Sequence, residues 1–282
     1  KSLFRRPEIR SPMKTMLLTG AAGIVGRAIR PELTKHHAKI ILTDLKEIHD
    51  LVENESFEQG DLADFEFVRS VTSKVDGVIH LGGLVGPDVT FDEALRPNII
   101  GVHNIHEAAR VCGVSRIVYA GSAHTMGFIK RGEKIDHLTL PRPNGQYALS
   151  KTYGEFTGSY YVDNYGLNVL VIRIGYVGND FSKEHRLRTW VSARDLVQLI
   201  ELGLNNDLGF QITYGVSDNP EPFFDNSNAF QLGYQPKDCS TDFIKDPSLL
   251  EAKPDLNSIE GGVVGGRFSA TGFEGDSNNI LK

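Results

Sequence analysis

The sequence predicts a doubly wound α/β fold with a parallel sheet and a small lobe over its carboxyl edge. Three observations predict it. Short, continuous apolar runs alternate with longer stretches of helical periodicity. The first two strand-like runs end in a glycine cluster and in an aspartate, respectively. A late segment, Asn205 to Pro236, shifts in composition toward Asn, Asp, Gly and Pro. Continuous apolar strands separated by helices mark a sheet covered on both faces.

Met16 to Thr19 reads as a buried strand ended by Gly20, and Ile24 to Leu33 as a helix with apolar Ile24, Val25, Ala28, Ile29 and Leu33. A second strand, Ile40 to Leu42, ends at Asp44. The segment Ser56 to Asp61 holds a third, with a helix from Phe65 to Val71 behind it. Val78 to Leu81 is a fourth strand, stopped by Gly82 and Gly83. One long helix is expected from Phe91 to Cys112, closed by Gly113. Arg116 to Ala120 is a fifth strand, a helix begins near Gln146, and Val169 to Ile174 is a sixth strand. Asn205 to Pro236 and the segment Gly261 to Gly266, with four glycines in six positions, are expected to build an irregular lobe where ligands bind in such sheets.

The chain has 282 residues, enough for one large domain or two small ones. Its charge of −6 argues against nucleic acid as a partner. No run reaches the roughly 18 apolar residues of a membrane helix. Two cysteines, Cys112 and Cys239, make no disulfide framework, so a cytoplasmic setting is expected. Residues 1–12 carry four basic residues against one acidic residue, precede Met13 and read as a tail or an expression remnant. The division expected is 13–175 for a nucleotide-binding domain and 176–282 for a substrate lobe interleaved with elements of the sheet.

Gly20, Gly23 and Gly26 follow a strand and open a helix, where glycine lets a pyrophosphate approach backbone N–H groups. Asp44 lies 24 residues beyond Gly20. It is placed to accept the adenosine 2′- and 3′-hydroxyls, which favours NAD over NADP, although Lys46 is near. The alternative for Asp44 is a carboxylate capping a turn. Tyr147 and Lys151 stand four apart on one helical face, with Ser122 just past the fifth strand. A phenol must lose about three pKa units, roughly 4 kcal/mol, to act as a base at neutral pH, and a neighbouring ammonium pushes that way. His103 and His106 have no third ligand at suitable spacing, so no metal is expected.

Together with Gly60-Asp61-Leu62, His80-Leu81-Gly82-Gly83, Asn98 and Arg173-Ile174-Gly175, these residues resemble the extended short-chain dehydrogenase/reductases, a Rossmann-fold superfamily that includes the NAD-dependent epimerases and dehydratases. The resemblance spans about Lys14 to Arg194. It implies Tyr147 as general base, Ser122 as its partner, Lys151 on the ribose and Asn98 in a proton relay. It also implies NAD held by Gly20, Gly23, Ile24, Val25, Gly26, Asp44, Leu45, Asp61, Leu62, Leu81, Gly82, Gly83 and Ile174, together with Tyr147 and Lys151.

Within that branch, Ser122-Ala-His124-Thr125-Met-Gly127, Thr189-Trp190-x-Ser192 and Asp225-Asn226-Ser227 are most similar to the uronate dehydrogenases. The resemblance implies oxidation of a cyclic uronic acid at C1 to its aldarolactone, with NAD as acceptor, by a homo-oligomer. Substrate contacts are expected from Ser122, His124, Tyr147, Tyr176, His185 and Arg186. Four positions depart from that pattern: Val85 and Tyr176 stand for serines, Ala123 for an asparagine, and His185 for the carboxylate-binding arginine. They imply a reshaped pocket, in which Arg186 either takes the carboxylate or stays a solvated loop charge. A neutral or phosphorylated aldose is the alternative substrate. A nucleotide-sugar epimerase or dehydratase and a non-catalytic NAD(H) sensor are the other readings. Only 131 residues follow Lys151, which limits room for a nucleotide diphosphate.

Overall fold

The computed structural model describes residues 15–282, so the basic segment 1–12 and Met13 lie outside the described residues. Seven parallel strands form one sheet: β1 (Thr15–Thr19), β2 (Lys39–Asp44), β3 (Glu55–Gln59), β4 (Gly77–His80), β5 (Arg116–Ser122), β6 (Asn168–Ile174) and β7 (Phe210–Gly215), in the order β3-β2-β1-β4-β5-β6-β7. The order reverses between β1 and β4, which opens a crevice at their carboxyl ends. The fold is α/β and doubly wound, as the strand runs predict.

Alternation along each strand supplies two cores. Met16, Leu18, Ile40 and Leu42 face α1 (Ile24–Leu33) and a helix over Ala193–Asn205, whereas Leu17 and Ile41 face α2 (Phe65–Thr72) and the helices over Gly101–Cys112 and Gln146–Tyr165. Most of these side chains are fully buried. Each contributes about 1.5–3 kcal/mol of apolar transfer free energy.

Two elements differ from the sequence reading. The helix expected from Phe91 to Cys112 is divided into α3 (Phe91–Ala94), a π-helical stretch Leu95–Ile100, and α4 (Gly101–Cys112). Pro97 lies in that stretch, has no N–H to donate and crowds the preceding turn, so the backbone widens there. The widened turn carries Asn98. The second difference is β7, which falls inside the segment read as an irregular lobe. Its inner half is only partly buried because it is an edge strand, so its apolar run is interrupted. α5 (Gln146–Tyr165) precedes β6, and α6 (Glu184–Thr189) and α7 (Ala193–Asn205) lead to β7, the last strand of the sheet.

Over the carboxyl edge, Met126, Ile129, Ile135, Tyr214, Val216, Phe224 and Val264 form a separate small core. Val264 belongs to the glycine-rich segment, which hangs on the loop after β5: Val264 N–H donates to Ile129 O (2.9 Å) and Gly265 N–H to Gly127 O (3.0 Å).

Candidate active site

Gly20 ends β1 at φ +69°, in the left-handed region that favours glycine. A Cβ on Gly20 would lie 2.7 Å from Gly82 N, and one on Gly26 would lie 2.6 Å from Gly20 O. Gly23 caps the ten-residue α1 without a side-chain hydrogen bond, leaving the first-turn N–H groups open to the crevice. A cradle that tolerates no Cβ, at an uncapped helix N-terminus, fits a pyrophosphate. Ile24 and Leu45 are exposed at its mouth, and Val25 is half-buried.

Asp44 is a turn cap in this structure. Its Oδ2 accepts Ala22 N–H at 3.0 Å and its Oδ1 accepts Lys46 N–H at 3.0 Å, which braces the glycine turn from the end of β2. Asp61 accepts Ala63 N–H at 2.8 Å and pairs with Arg96 at 2.7 Å, and that pairing lowers its carboxyl pKa. Leu62 fills the space over Gly82, where a Cβ would meet its Cδ1 at 2.4 Å. Thr19 Oγ1 accepts Gly82 N–H at 3.0 Å and pairs with buried His80 Nδ1 at 2.7 Å, so the Leu81–Gly83 turn is pinned to β1.

Ser122, Tyr147 and Lys151 come together at the end of β5. The Ser122 hydroxyl lies near enough to the Tyr147 phenol to favour its ionised form. Burial raises the phenol's pKa, and the Ser122 hydroxyl opposes that rise; Lys151 adds no lowering in this arrangement. Lys151 Nζ instead donates to Ala120 O at 2.8 Å, lies 5.2 Å from the Tyr119 ring centroid and 6.0 Å from that of Tyr147. Burial pushes its ammonium down to about 8. Asn98 spends its amide locally: it donates to Leu84 O (2.9 Å) and Ser150 Oγ (2.8 Å) and accepts Leu84 N–H (2.7 Å). A Cβ on Gly83 would sit 3.0 Å from Asn98 Oδ1 and 3.5 Å from Lys151 Nζ, so the two side chains meet at that glycine. Ile174 ends the neighbouring strand β6, beside Ser122 in register.

His124 stacks on Phe268, with centroids 4.0 Å apart at 15°, and meets the Tyr147 ring edge-on at 6.4 Å. Burial holds its pKa at about 3, so the imidazole is neutral. His185 occupies the position counted for a carboxylate-binding arginine. Its Nε2 bonds Val264 O, and burial lowers its pKa, leaving a neutral ring committed to the glycine-rich segment. Arg186 pairs with Asp180 and lies 4.7 Å over the Tyr176 ring, while Tyr176 Oη accepts Asp180 N–H at 3.0 Å. Val85 is exposed, and Ala123 packs against the lobe core. Trp190 is buried, with Nε1–H donating to Gly178 O at 2.9 Å.

Sequence reasoning missed Asn144, Phe268 and Ser269. Asn144 Nδ2 reaches His124 Nδ1 (3.2 Å) and Ser269 Oγ (2.9 Å), and so joins the wall of the site to the segment preceding Tyr147. The unusual glycine density at 261–266 was the available signal.

Residues 16–186 match the model of the NAD dependent epimerase/dehydratase family. The chain belongs to that family. It is 41% identical over 269 residues to the uronate dehydrogenase of Pseudomonas putida, covering 93% of this chain and 98% of that one. The family's solved structures include the glucuronic acid dehydrogenase from Chromohalobacter salexigens (TM-score 0.87, 34% identity, 92% of this chain and 98% of that chain). They also include a variant of the uronate dehydrogenase from Agrobacterium tumefaciens complexed with NAD (TM-score 0.84, 35% identity, 91% and 97%). The matched span contains the glycine cradle, Ser122, Tyr147, Lys151 and Arg186.

Proposed function

We propose that this protein is an NAD-dependent dehydrogenase that oxidises the C1 hydroxyl of a cyclic hexuronic acid to the aldarolactone. The observation that carries this reading is the Ser122–Tyr147–Lys151 cluster, set at the edge of β5 beside a Cβ-free cradle, in a chain that matches uronate dehydrogenases along nearly its whole length. NAD, when bound, supplies the acceptor for the hydride that leaves C1.

The chain's own residues do the rest. Gly20, Gly23 and Gly26 with the first turn of α1 hold the pyrophosphate. Asp44, whose oxygens each keep a lone pair beyond the turn bonds, takes the ribose hydroxyls, and Asp61 and Leu62 flank the adenine. Tyr147, as the phenolate, receives the C1 hydroxyl proton, with Ser122 beside both oxygens. Lys151, charged below a pKa of about 8, donates to the ribose hydroxyls and favours the phenolate form of Tyr147. Asn98 acts by fixing the turn that separates it from Lys151. Neutral His124 orients a sugar hydroxyl without competing as a base. Arg186 with Tyr176 takes the carboxylate, because His185 is neutral and engaged elsewhere.

A second substrate reading, a neutral or phosphorylated aldose, is favoured by that same neutral His185 and by apolar Ala123. The test is NADH formation, read by ultraviolet absorbance, with galacturonate, glucuronate, the matching aldoses and their 6-phosphates. Turnover of uronates, abolished in Tyr147→Phe and weakened at the KM level in Arg186→Met, supports the proposal. Turnover confined to neutral or phosphorylated aldoses replaces it with the second reading.

Two coarser expectations follow the same route. Leu149, Tyr153, Phe156 and Tyr160 form an exposed apolar stripe along α5 at helical spacing, the kind of patch that a second copy covers. Phe156→Glu should reduce the mass measured by light scattering. Among the described residues no helix is long and apolar enough to cross a membrane. Both cysteines are free thiols, which fits a reducing cytoplasm.

A further inference from the structure

A cavity of about 410 Å³ lies outside the site just described, where the lobe meets α6. Two of its lining residues, Val264 and Phe223, also touch His185: Val264 O bonds His185 Nε2, and the Phe223 and His185 rings are 5.5 Å apart. Two guanidiniums lie over the Phe223 ring, Arg131 at 4.9 Å and Arg188 at 5.7 Å. They share one carboxylate, Glu184, which accepts Arg131 Nη1 at 2.9 and 3.0 Å and Arg188 Nε.

One carboxylate beneath two guanidiniums leaves a unit of positive charge. The Arg131 and Glu184 side chains are each 10% exposed, so water screens that charge little. Arg131 Nε is buried without a hydrogen-bond partner. Neither guanidinium's Nη2 has a protein partner among the described residues. The balancing charge comes from Glu221, whose Oε2 pairs with Arg188 Nη1 at 2.5 Å and whose backbone O accepts Nη1 at 3.0 Å, while its side chain remains 77% exposed.

Glu221 is also the described non-glycine residue with a left-handed backbone, φ +44°, and it stands directly before Pro222. Both conditions disfavour its conformation. An exposed carboxylate on a strained backbone is an exchangeable occupant of the Arg188 edge. The remaining walls divide by chemistry, with Leu256, Pro254 and Val264 apolar and Glu133 an acceptor for hydroxyls.

We propose that this cavity is a second binding site for a monosaccharide carboxylate, whose anionic end takes the place of Glu221 on Arg188 and Arg131. The apolar walls cover the sugar's C–H face and Glu133 takes its hydroxyls. A bare phosphate would leave those apolar walls uncovered. That the anion is a sugar acid rests on the proposed function; that the cavity takes an anion does not.

Equilibrium dialysis of radiolabelled glucuronate against the full chain tests it, with NADH in place of NAD so that nothing turns over. The expected stoichiometry is two per chain in the wild type and one in Arg188→Gln, with the kcat of Arg188→Gln unchanged. Glu221→Gln, a surface change that leaves the fold intact, should tighten the second equivalent several-fold. One equivalent in all three proteins overturns the proposal. Displacement of the second equivalent by an equal concentration of inorganic phosphate overturns the sugar-acid identity. A chain that turns over no uronate, yet binds one equivalent that Arg188→Gln loses, keeps this site and rejects the proposed function.

Discussion

Glu155 on α5 receives both prongs of the Arg173 guanidinium, Nε to Oε1 at 2.9 Å and Nη2 to Oε2 at 2.8 Å, with the arginine side chain 1% exposed and the glutamate 3%. Arg173 also donates to Tyr214 Oη at 2.9 Å, and Tyr214 donates onward to Asp136 O at 2.9 Å. The pair therefore fastens the helix bearing Tyr147 and Lys151 to β6, β7 and the lobe. Removing one partner leaves a charge stranded out of water, which costs about 3–5 kcal/mol. Glu155→Ala should lose that much stability in urea unfolding at neutral pH. Replacing both partners with apolar residues of similar volume should recover most of it.

Lys151 carries a cost that substitution can reveal. Its pKa is pushed from 10.5 to about 8 in the folded chain. The unfolded chain thus binds more protons between about pH 8 and 10.5, and stability rises with pH across that window. Below pH 8 the buried ammonium opposes folding by about 3 kcal/mol. Lys151→Met, despite losing the hydrogen bond to Ala120 O, should be about 2 kcal/mol more stable at pH 7 and inactive. Its advantage should shrink as pH rises through that window. Denaturant titrations at neutral and alkaline pH measure both.

His106 makes the same kind of prediction in acid. It is fully buried, donates Nδ1–H to Val102 O at 2.8 Å and has its pKa lowered to about 4. The unfolded chain protonates near 6.5 and the folded one only near 4, so stability held above 6.5 is lost as pH falls between them. The loss amounts to about 3 kcal/mol. His106→Gln should flatten the decline in unfolding free energy between neutral pH and about pH 4 by that amount.

The glycine cradle separates backbone from side-chain collisions. A Cβ on Gly26 would meet Gly20 O and Ala21 Cα at 2.6 and 2.7 Å, whereas one on Gly82 would meet first the end of the Leu62 side chain at 2.4 Å. Backbone cannot swing aside and a leucine can. Gly26→Ala should weaken NAD binding at least tenfold by fluorescence titration and cost about 1–3 kcal/mol of stability. Gly82→Ala should leave stability nearly unchanged.

The nucleotide half was legible in the sequence because its signals are local. Glycines at a strand-to-helix turn, Asp44 at a strand end and Tyr147 four residues before Lys151 each lie within one element. What escaped depends on contacts across the chain. Phe268 reaches His124 only because the backbone at 264–265 pairs with the loop at 127–129, 135 or more residues earlier. The edge strand Phe210–Gly215 buries its carboxyl-terminal half alone, so no continuous apolar run announces it. The widening at Pro97 is a backbone response that leaves the apolar pattern of the surrounding helix unaltered.

The wall carrying Phe268 is suspended by main-chain bonds: Arg131 N–H to Gly262 O, Val264 N–H to Ile129 O and Gly265 N–H to Gly127 O. Its glycines are fixed, since a Cβ on Gly265 would lie 2.2 Å from Ser269 Oγ and 2.8 Å from Gly127 Cα, but Phe268 takes no part in those main-chain bonds. The side chain that stacks on His124 can therefore be exchanged by drift while the main-chain register holds, and the cradle at Gly20 stays untouched. Under the proposed function, acceptance of new sugars becomes a matter of repainting one suspended panel, which makes Phe268 the position to randomise in a search for altered substrate range.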